Sequence, residues 1–140
     1  MNRSKFIYKA LLAAFAYLVI GPQIASAQQT APTSNQGLEA LTLETVDLGM
    51  EIEGMQDRQL RLRMLTLEPG GHIGVHSHKD RPAVAYILQG TTTVTFGNGT
   101  VRRFSAGESI SATRDTTHWH RNEEQENMTL VTVDVRKLTK

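Results

Sequence analysis

The chain of 140 residues contains no cysteine. That single absence excludes disulfides, thiolate nucleophiles, thiolate zinc sites and iron–sulfur clusters. A domain without cross-links must be held by an ordinary hydrophobic core, and roughly 100 residues suffice to build one. Long apolar runs are also missing. The longest covers residues 10–20, well short of the ~20 residues a membrane-spanning helix requires. No convincing amphipathic helix, internal repeat or low-complexity segment appears. The Gly-x-Ser-x-Gly elbow of serine hydrolases is absent, as are phosphate-loop and dinucleotide fingerprints. Ser77 lies between two histidines, on the opposite strand face.

What is present begins with a tripartite leader. Arg3, Lys5 and Lys9 precede the apolar run 10–20, and Ala25-Ser26-Ala27 follows as a small-x-small cleavage site. This is the layout of a secretory signal peptide over residues 1–27. Cleavage after Ala27 is expected, placing the mature chain in the periplasm or outside the cell, with no membrane attachment. Loss of three basic residues takes Lys+Arg from 15 to 12 against 14 Asp+Glu, so the formal +1 becomes about −2. No basic tract remains that would favour nucleic acid.

Residues 28–37 are polar and hold Pro32, Thr33, Ser34 and Asn35, a composition that predicts a flexible lead-in. A single domain, 38–140, follows. Leu41, Leu43, Thr45 and Asp47 alternate with Thr42, Glu44, Val46 and Leu48 as a first strand; 50–57 reads as loop. Leu60, Leu62 and Met64 alternate with Arg61, Arg63 and Leu65, the pattern of a half-buried strand. Pro69-Gly70-Gly71 predicts a turn. The apolar run 83–88, bounded by Pro82 and Gly90, predicts a buried strand that includes Tyr86. Thr92, Val94 and Phe96 alternate before Asn98-Gly99, a tight-hairpin signal. Further strands are expected over 101–104, 108–112, 117–121 and 128–136. Many short strands at 8–12-residue spacing predict an all-β sandwich or barrel.

The chemistry sits on histidines. His76-Ser77-His78 lies among β-branched, Gly and Pro residues, which favour strand and turn. On a strand, positions i and i+2 share a face, so both imidazoles can converge on one point as a metal clamp. A further pair lies in Thr117-His118-Trp119-His120. His120 shares the face of His118, as a fourth ligand, a general base or a rim histidine. Trp119 points the other way, toward outer packing or a subunit contact. Asp80 shares the parity of His76 and His78, although Arg81-Pro82 turns the chain there. His72 lies ~13 Å from His76 along an extended strand, as a pocket-lining or surface residue.

Two motifs carry a family resemblance. Gly70-x5-His76-x-His78-x4-Ala83-x6-Gly90 resembles the first motif of the cupin superfamily, and Gly107-x5-Thr113-x-Asp115-x2-His118-x3-Asn122 resembles the second. The resemblance implies a double-stranded β-helix, a jelly-roll barrel of six to eight strands, with His76, His78 and His118 as metal ligands. The family glutamate falls at position 83, which here is Ala83; Thr113 and Asp115 replace the usual proline and glycine. Asn122 braces the turn after His118. A three-His centre without the carboxylate resembles that of cupin dioxygenases using non-haem Fe(II), although imidazole also accepts Zn, Mn, Ni or Cu. Without the carboxylate the centre is more positive and favours a small anionic substrate such as an enolate, thiolate or catecholate. A redox-neutral isomerisation fits the same ligands. A non-catalytic module holding a metal or small ligand is the alternative, and a homodimer is expected because so small a barrel leaves sheet edges open.

Overall fold

β-branched and apolar residues punctuated by turns form eight antiparallel strands in the computed structural model, which describes residues 30–138. The leader 1–27 lies outside the described residues. The strands are β1 (Gln36–Asp47), β2 (Arg58–Ser77), β3 (Ala83–Gln89), β4 (Thr91–Phe96), β5 (Val101–Ser105), β6 (Ser109–Ala112), β7 (Thr117–Arg121) and β8 (Met128–Lys137). Their order is β5-β4-β7-β2-β8-β3-β6, with β1 on the remaining side of β2. The result is a nearly closed jelly-roll barrel. The only helix among the described residues is a 3-10 turn, Leu48–Met50.

The long β2 joins both walls. Its first half pairs with β1 and β8, and its second half, from His72 onward, pairs with β7. The expected turn at Pro69-Gly70-Gly71 is therefore a bend within one strand. Gly70 takes φ +72° there, a value that favours glycine. The loop after β7 grips the bend: the Gly70 amide donates to the Asn122 carbonyl (2.9 Å), and the Asn122 amide donates to the Gly71 carbonyl (3.0 Å).

The half-buried strand of β2 forms with its arginines inside, and one expectation about strand faces needs correction. Leu60, Leu62 and Met64 do alternate with Arg61 and Arg63, but the arginines point inward with Leu65 and Leu67. Arg61 reaches the buried Asp134, and Arg63 lines an internal cavity. Leu60, Leu62 and Met64 register with Val135, Val133 and Val131 of β8 on the outer face. In contrast to the expected buried strand, β3 is not buried on both sides. Ile87 is fully buried, whereas Val84, Tyr86 and Leu88 are 58%, 49% and 49% exposed. The sheet has only one covered face, and a continuous apolar run cannot tell which face that is.

The Asn98-Gly99 hairpin forms, with a longer loop than a two-residue turn. Only Gly99 has positive φ, +84°; its amide donates to the Phe96 carbonyl at 2.8 Å, and the Asn98 side chain accepts from the Thr100 amide at 3.0 Å. Residues 30–35 lie against β2. The Val75 amide donates to the Pro32 carbonyl (2.7 Å) and the Gly74 amide to Asn35 Oδ1 (2.9 Å).

Inward positions change character along each strand. On β8, Met128 and Leu130 give way to Thr132 and Asp134; on β2, running back, Leu67 and Leu65 give way to Arg63 and Arg61; on β3, Ile87 gives way to Ala85 and Ala83. One end of the barrel is thus packed with large apolar side chains, and the other is polar and lined by small ones. Asn122 closes the packed end. Fully buried, its Nδ2 donates to the carbonyls of Leu67 (2.9 Å) and Glu126 (2.7 Å), and its Oδ1 accepts from the Glu124 amide (3.0 Å). Asn122→Ala leaves three backbone groups without partners and should cost about 2–4 kcal/mol. Thermal unfolding should show a fall in melting temperature of roughly 10–20 °C.

Candidate metal centre

β2 and β7 set the site by their pairing. His76 stands directly opposite His118, and an irregularity between Ile73 and His76 resets the strand parity so that His76 faces inward. The same irregularity separates His76 from His72, which is half-buried and does not line the cavity. His78 follows the last residue of β2, and its amide donates to the Thr116 carbonyl at 2.9 Å. The rings of His76, His78 and His118 then lie with centroids 4.7–5.0 Å apart. His118 Nε2 is 3.1 Å from His78 Nε2 and 3.1 Å from His76 Nε2. That is about the separation of neighbouring ligands on an ion with ~2.0–2.1 Å metal–nitrogen bonds.

The far nitrogens decide what these imidazoles present. His76 Nδ1 lies 2.9 Å from the Gly74 carbonyl, and His78 Nδ1 lies 2.8 Å from the Arg81 carbonyl. A carbonyl oxygen only accepts, so Nδ1 carries the proton in both rings. When neutral, each ring therefore turns a bare Nε2 lone pair toward the cluster. Burial keeps the rings neutral. It lowers the pKa of His76 and His78 and, reinforced by His120, His76 and His78, takes His118 down to about 2. His118 Nδ1 is buried with no hydrogen-bond partner among the described residues. These donors fit a divalent ion that takes nitrogen ligands, with coordination positions left open toward the cavity.

The remaining sequence candidates separate clearly. The potential ligand atoms of His76, His78 and His118 all lie within 4.8 Å of one another, and His120 is not in that set. The His120 ring lies 4.7 Å from that of His118 and lines the same cavity. Its Nδ1 is 3.4 Å from the Thr92 hydroxyl, and burial lowers its pKa to about 3. Asp80 is exposed, and its carbonyl accepts from Arg58 Nη1 at 2.8 Å; it is not part of the cluster. Trp119 is buried outside the barrel interior, with the Arg121 guanidinium 5.7 Å from its ring. Ala83 does line the cavity, together with Ala85 and Ala112. These three small side chains open a space of about 270 Å³ beside the histidines.

The sequence reading missed the charged group that adjoins the cluster. Asp134, opposite Ala83 on β8, has a fully buried side chain and accepts from three arginines. Arg61 binds it in bidentate fashion at 3.0 and 2.7 Å; Arg63 and Arg81 reach Oδ2 at 3.3 and 3.2 Å. Burial pushes the Asp134 pKa up, but the Arg61 hydrogen bonds and the three positive charges outweigh it and hold the carboxyl below its ordinary range. Two signals for this were in the chain. Arg61 and Arg63 share parity with Leu65 and Leu67, and an acidic residue interrupts the valine run of β8.

A small antiparallel jelly roll with inward imidazoles and an adjoining pocket defines a class of β-barrel proteins. Within it, the chain belongs to the cupin family. The Cupin domain profile matches residues 63–134, just over half of the chain and all five histidines. Similar solved structures include a predicted oxalate decarboxylase from Thermotoga maritima: 18% identity, TM-score 0.58, 78% of this chain and 94% of that one covered. A cupin 2 conserved barrel domain protein from Salinispora arenicola shares 20% identity at TM-score 0.55, covering 69% and 74%. A cupin domain from Schizosaccharomyces pombe shares 19% at TM-score 0.56, covering 71% of this chain and 64% of that one, so this chain spans less than two thirds of its length. At these identities the likeness is one of fold. No curated protein matches the chain.

Depressed histidine pKa values make acid stability a readout of the site. Above pH ~6.5 the site histidines are neutral in folded and unfolded chains alike. As pH falls from there toward about 3, the unfolded chain takes up protons that His118 and His120 refuse when folded, so stability is progressively lost. Denaturant unfolding of the metal-free protein from pH 7 to pH 4 should show stability declining throughout, with proton uptake on unfolding approaching one per site histidine.

Proposed function

We propose that this protein is an exported cupin that binds a divalent metal ion through His76, His78 and His118 and uses it on a small anionic substrate. The observation that carries this reading is the pair of backbone carbonyls, on Gly74 and Arg81, that fix the His76 and His78 tautomers with Nε2 lone pairs facing inward. The export component rests on the leader 1–27. Bound at three imidazoles, the ion would supply open coordination positions and Lewis-acid or redox chemistry. Fe(II) is the favoured ion because a three-His set resembles that of cupin dioxygenases using non-haem Fe(II), with Zn, Mn, Ni and Cu accepted by the same nitrogens.

The rest of the chemistry falls to the chain. Ala83, Ala85 and Ala112 make room for substrate; Leu65, Ile73 and Leu130 keep the inner wall apolar and exclude water. His120, neutral in the cavity wall, is the proton acceptor in this reading, since an anion bound beside it raises its basicity. An oxalate oxidase also shares the fold, with 17% identity and TM-score 0.54. Its name and that of the Thermotoga maritima protein both denote chemistry on a small dianion, which supports a small anionic substrate here. The low pKa of His120, about 3, instead favours a non-catalytic metal- or ligand-binding module. Oxygen consumption by anaerobically iron-loaded protein, across β-diketones, phenols and small carboxylates, separates the two.

The His76→Ala, His118→Ala double variant should lose stoichiometric Zn(II) and Fe(II) binding while keeping its β-sheet circular dichroism. Full metal occupancy in a folded double variant, measured by elemental analysis, would remove the ligand assignment.

The same reading extends to a homodimer. Val84, Tyr86 and Leu88 form an exposed apolar stripe beside Val131 and Val133 of β8. A second copy suits it because a two-fold contact sets an uncharged apolar face against itself and needs no charge complement. Sedimentation at micromolar concentration should give a dimer for the parent and a monomer for Tyr86→Lys. A monomeric parent rejects the assembly and leaves the metal reading untouched.

A further inference from the structure

Arg63 does something that the metal reading does not require. Arg61 already occupies both oxygens of Asp134, and Arg63 makes one long contact, 3.3 Å, to an oxygen that Arg81 also shares. Arg63 Nε is buried and has no hydrogen-bond partner among the described residues. Three guanidiniums face one carboxylate, and no residue lining the cavity is acidic. Among the described residues, two positive charges are therefore left without a counterion. Burial weakens Arg63's hold on its proton; Asp134 counters this, and Arg61 and Arg81 add repulsion. A desolvated arginine with an orphaned N–H and two like-charged neighbours costs stability, a cost that a bound anion would offset.

Arg63 and Arg81 line the same cavity as His76, His78 and His118. We infer that Arg63, together with Arg81, forms an anion subsite that takes the carboxylate of a small substrate whose second anionic donor faces the three histidines. Guanidinium is suited to this because its planar N–H fork matches a carboxylate. The same cavity wall carries Leu38, Leu65 and Ile110, which suits an aliphatic linking body. The two-point arrangement deepens, and rests on, the metal-dependent reading above; the carboxylate subsite itself needs no metal.

The test is calorimetric titration of the purified protein, metal-free and zinc-loaded, with straight-chain dicarboxylates from malonate to adipate and with the matching neutral diamides. The metal-free protein should bind dicarboxylates and ignore diamides. Arg63→Gln should weaken dicarboxylate binding at least about tenfold, leave zinc affinity no weaker, and melt no lower than the parent. Arg63→Lys, which keeps the charge and loses the fork, should fall between the two. Zinc should strengthen binding at one preferred chain length. Dicarboxylate binding that is indifferent to both substitutions overturns the subsite, as does a large loss of melting temperature in both variants, which would make Arg63 a structural partner of Asp134. If zinc does not bind but the Arg63-dependent carboxylate affinity persists, the metal reading fails and the subsite stands. If zinc binds through the histidines and carboxylates ignore Arg63, the subsite alone fails.

Discussion

The buried carboxylate of Asp134 is the tie on which the polar end of the barrel depends. Its Oδ2 accepts from Arg81, and the Arg81 carbonyl in turn accepts from His78 Nδ1. One ion cluster thereby holds the segment after β2 and fixes the tautomer of a candidate ligand. The bidentate contact with Arg61 bridges β2 to β8 across a register in which Arg61 faces Asp134 directly. Removing one partner of such a buried pair commonly destabilises by 3–5 kcal/mol, about the cost of leaving the other charge unpaired. Here the loss would reach the histidine cluster through Arg81 as well as the barrel wall.

The electrostatics of this end have a consistent sign. Burial and mutual repulsion keep His118 and His120 unprotonated, so nitrogen lone pairs are available at neutral pH without competition from protons. The same low-dielectric surroundings, with excess guanidinium charge and no acidic lining residue, favour an anion in the adjoining space. A neutral donor cluster and a cationic wall belong to one design: the first suits a metal, the second its negatively charged ligand. The alanine at position 83 adds to this by supplying neither bulk nor charge.

Much of the arrangement was legible from local pattern. The turn signals placed the later strands closely: 117–121 is β7 itself, and 108–112 and 128–136 differ from β6 and β8 by a residue at an end. The two histidine motifs carried the cupin resemblance that the fold confirms, because ligand spacing on paired strands is short-range and nearly invariant under sheet twist. Side-chain direction was less accessible. Arg61 and Arg63 read as the polar phase of a strand, yet they face inward; Val84, Tyr86 and Leu88 read as core, yet they lie outside. Alternation reports that two faces differ, and it does not report which one is covered.

The sequence by itself determined the strand and turn pattern, the absence of thiol chemistry and the spacing that lets His76 and His78 meet His118. These follow from backbone preferences, residue chemistry and period-two geometry, all of which act over a few residues. Only the tertiary structure decided which strand face became the interior, that Asp134 gathers Arg61, Arg63 and Arg81, and that His120 stands beside the cluster outside the ligand set. The bulge before His76 resets parity within β2 and the bend at Gly70 redirects the strand, and each depends on hydrogen bonds to residues some forty to fifty positions away in the chain. Long-range pairing fixes those choices because the cost of burying a charge depends on whether a partner arrives from another strand.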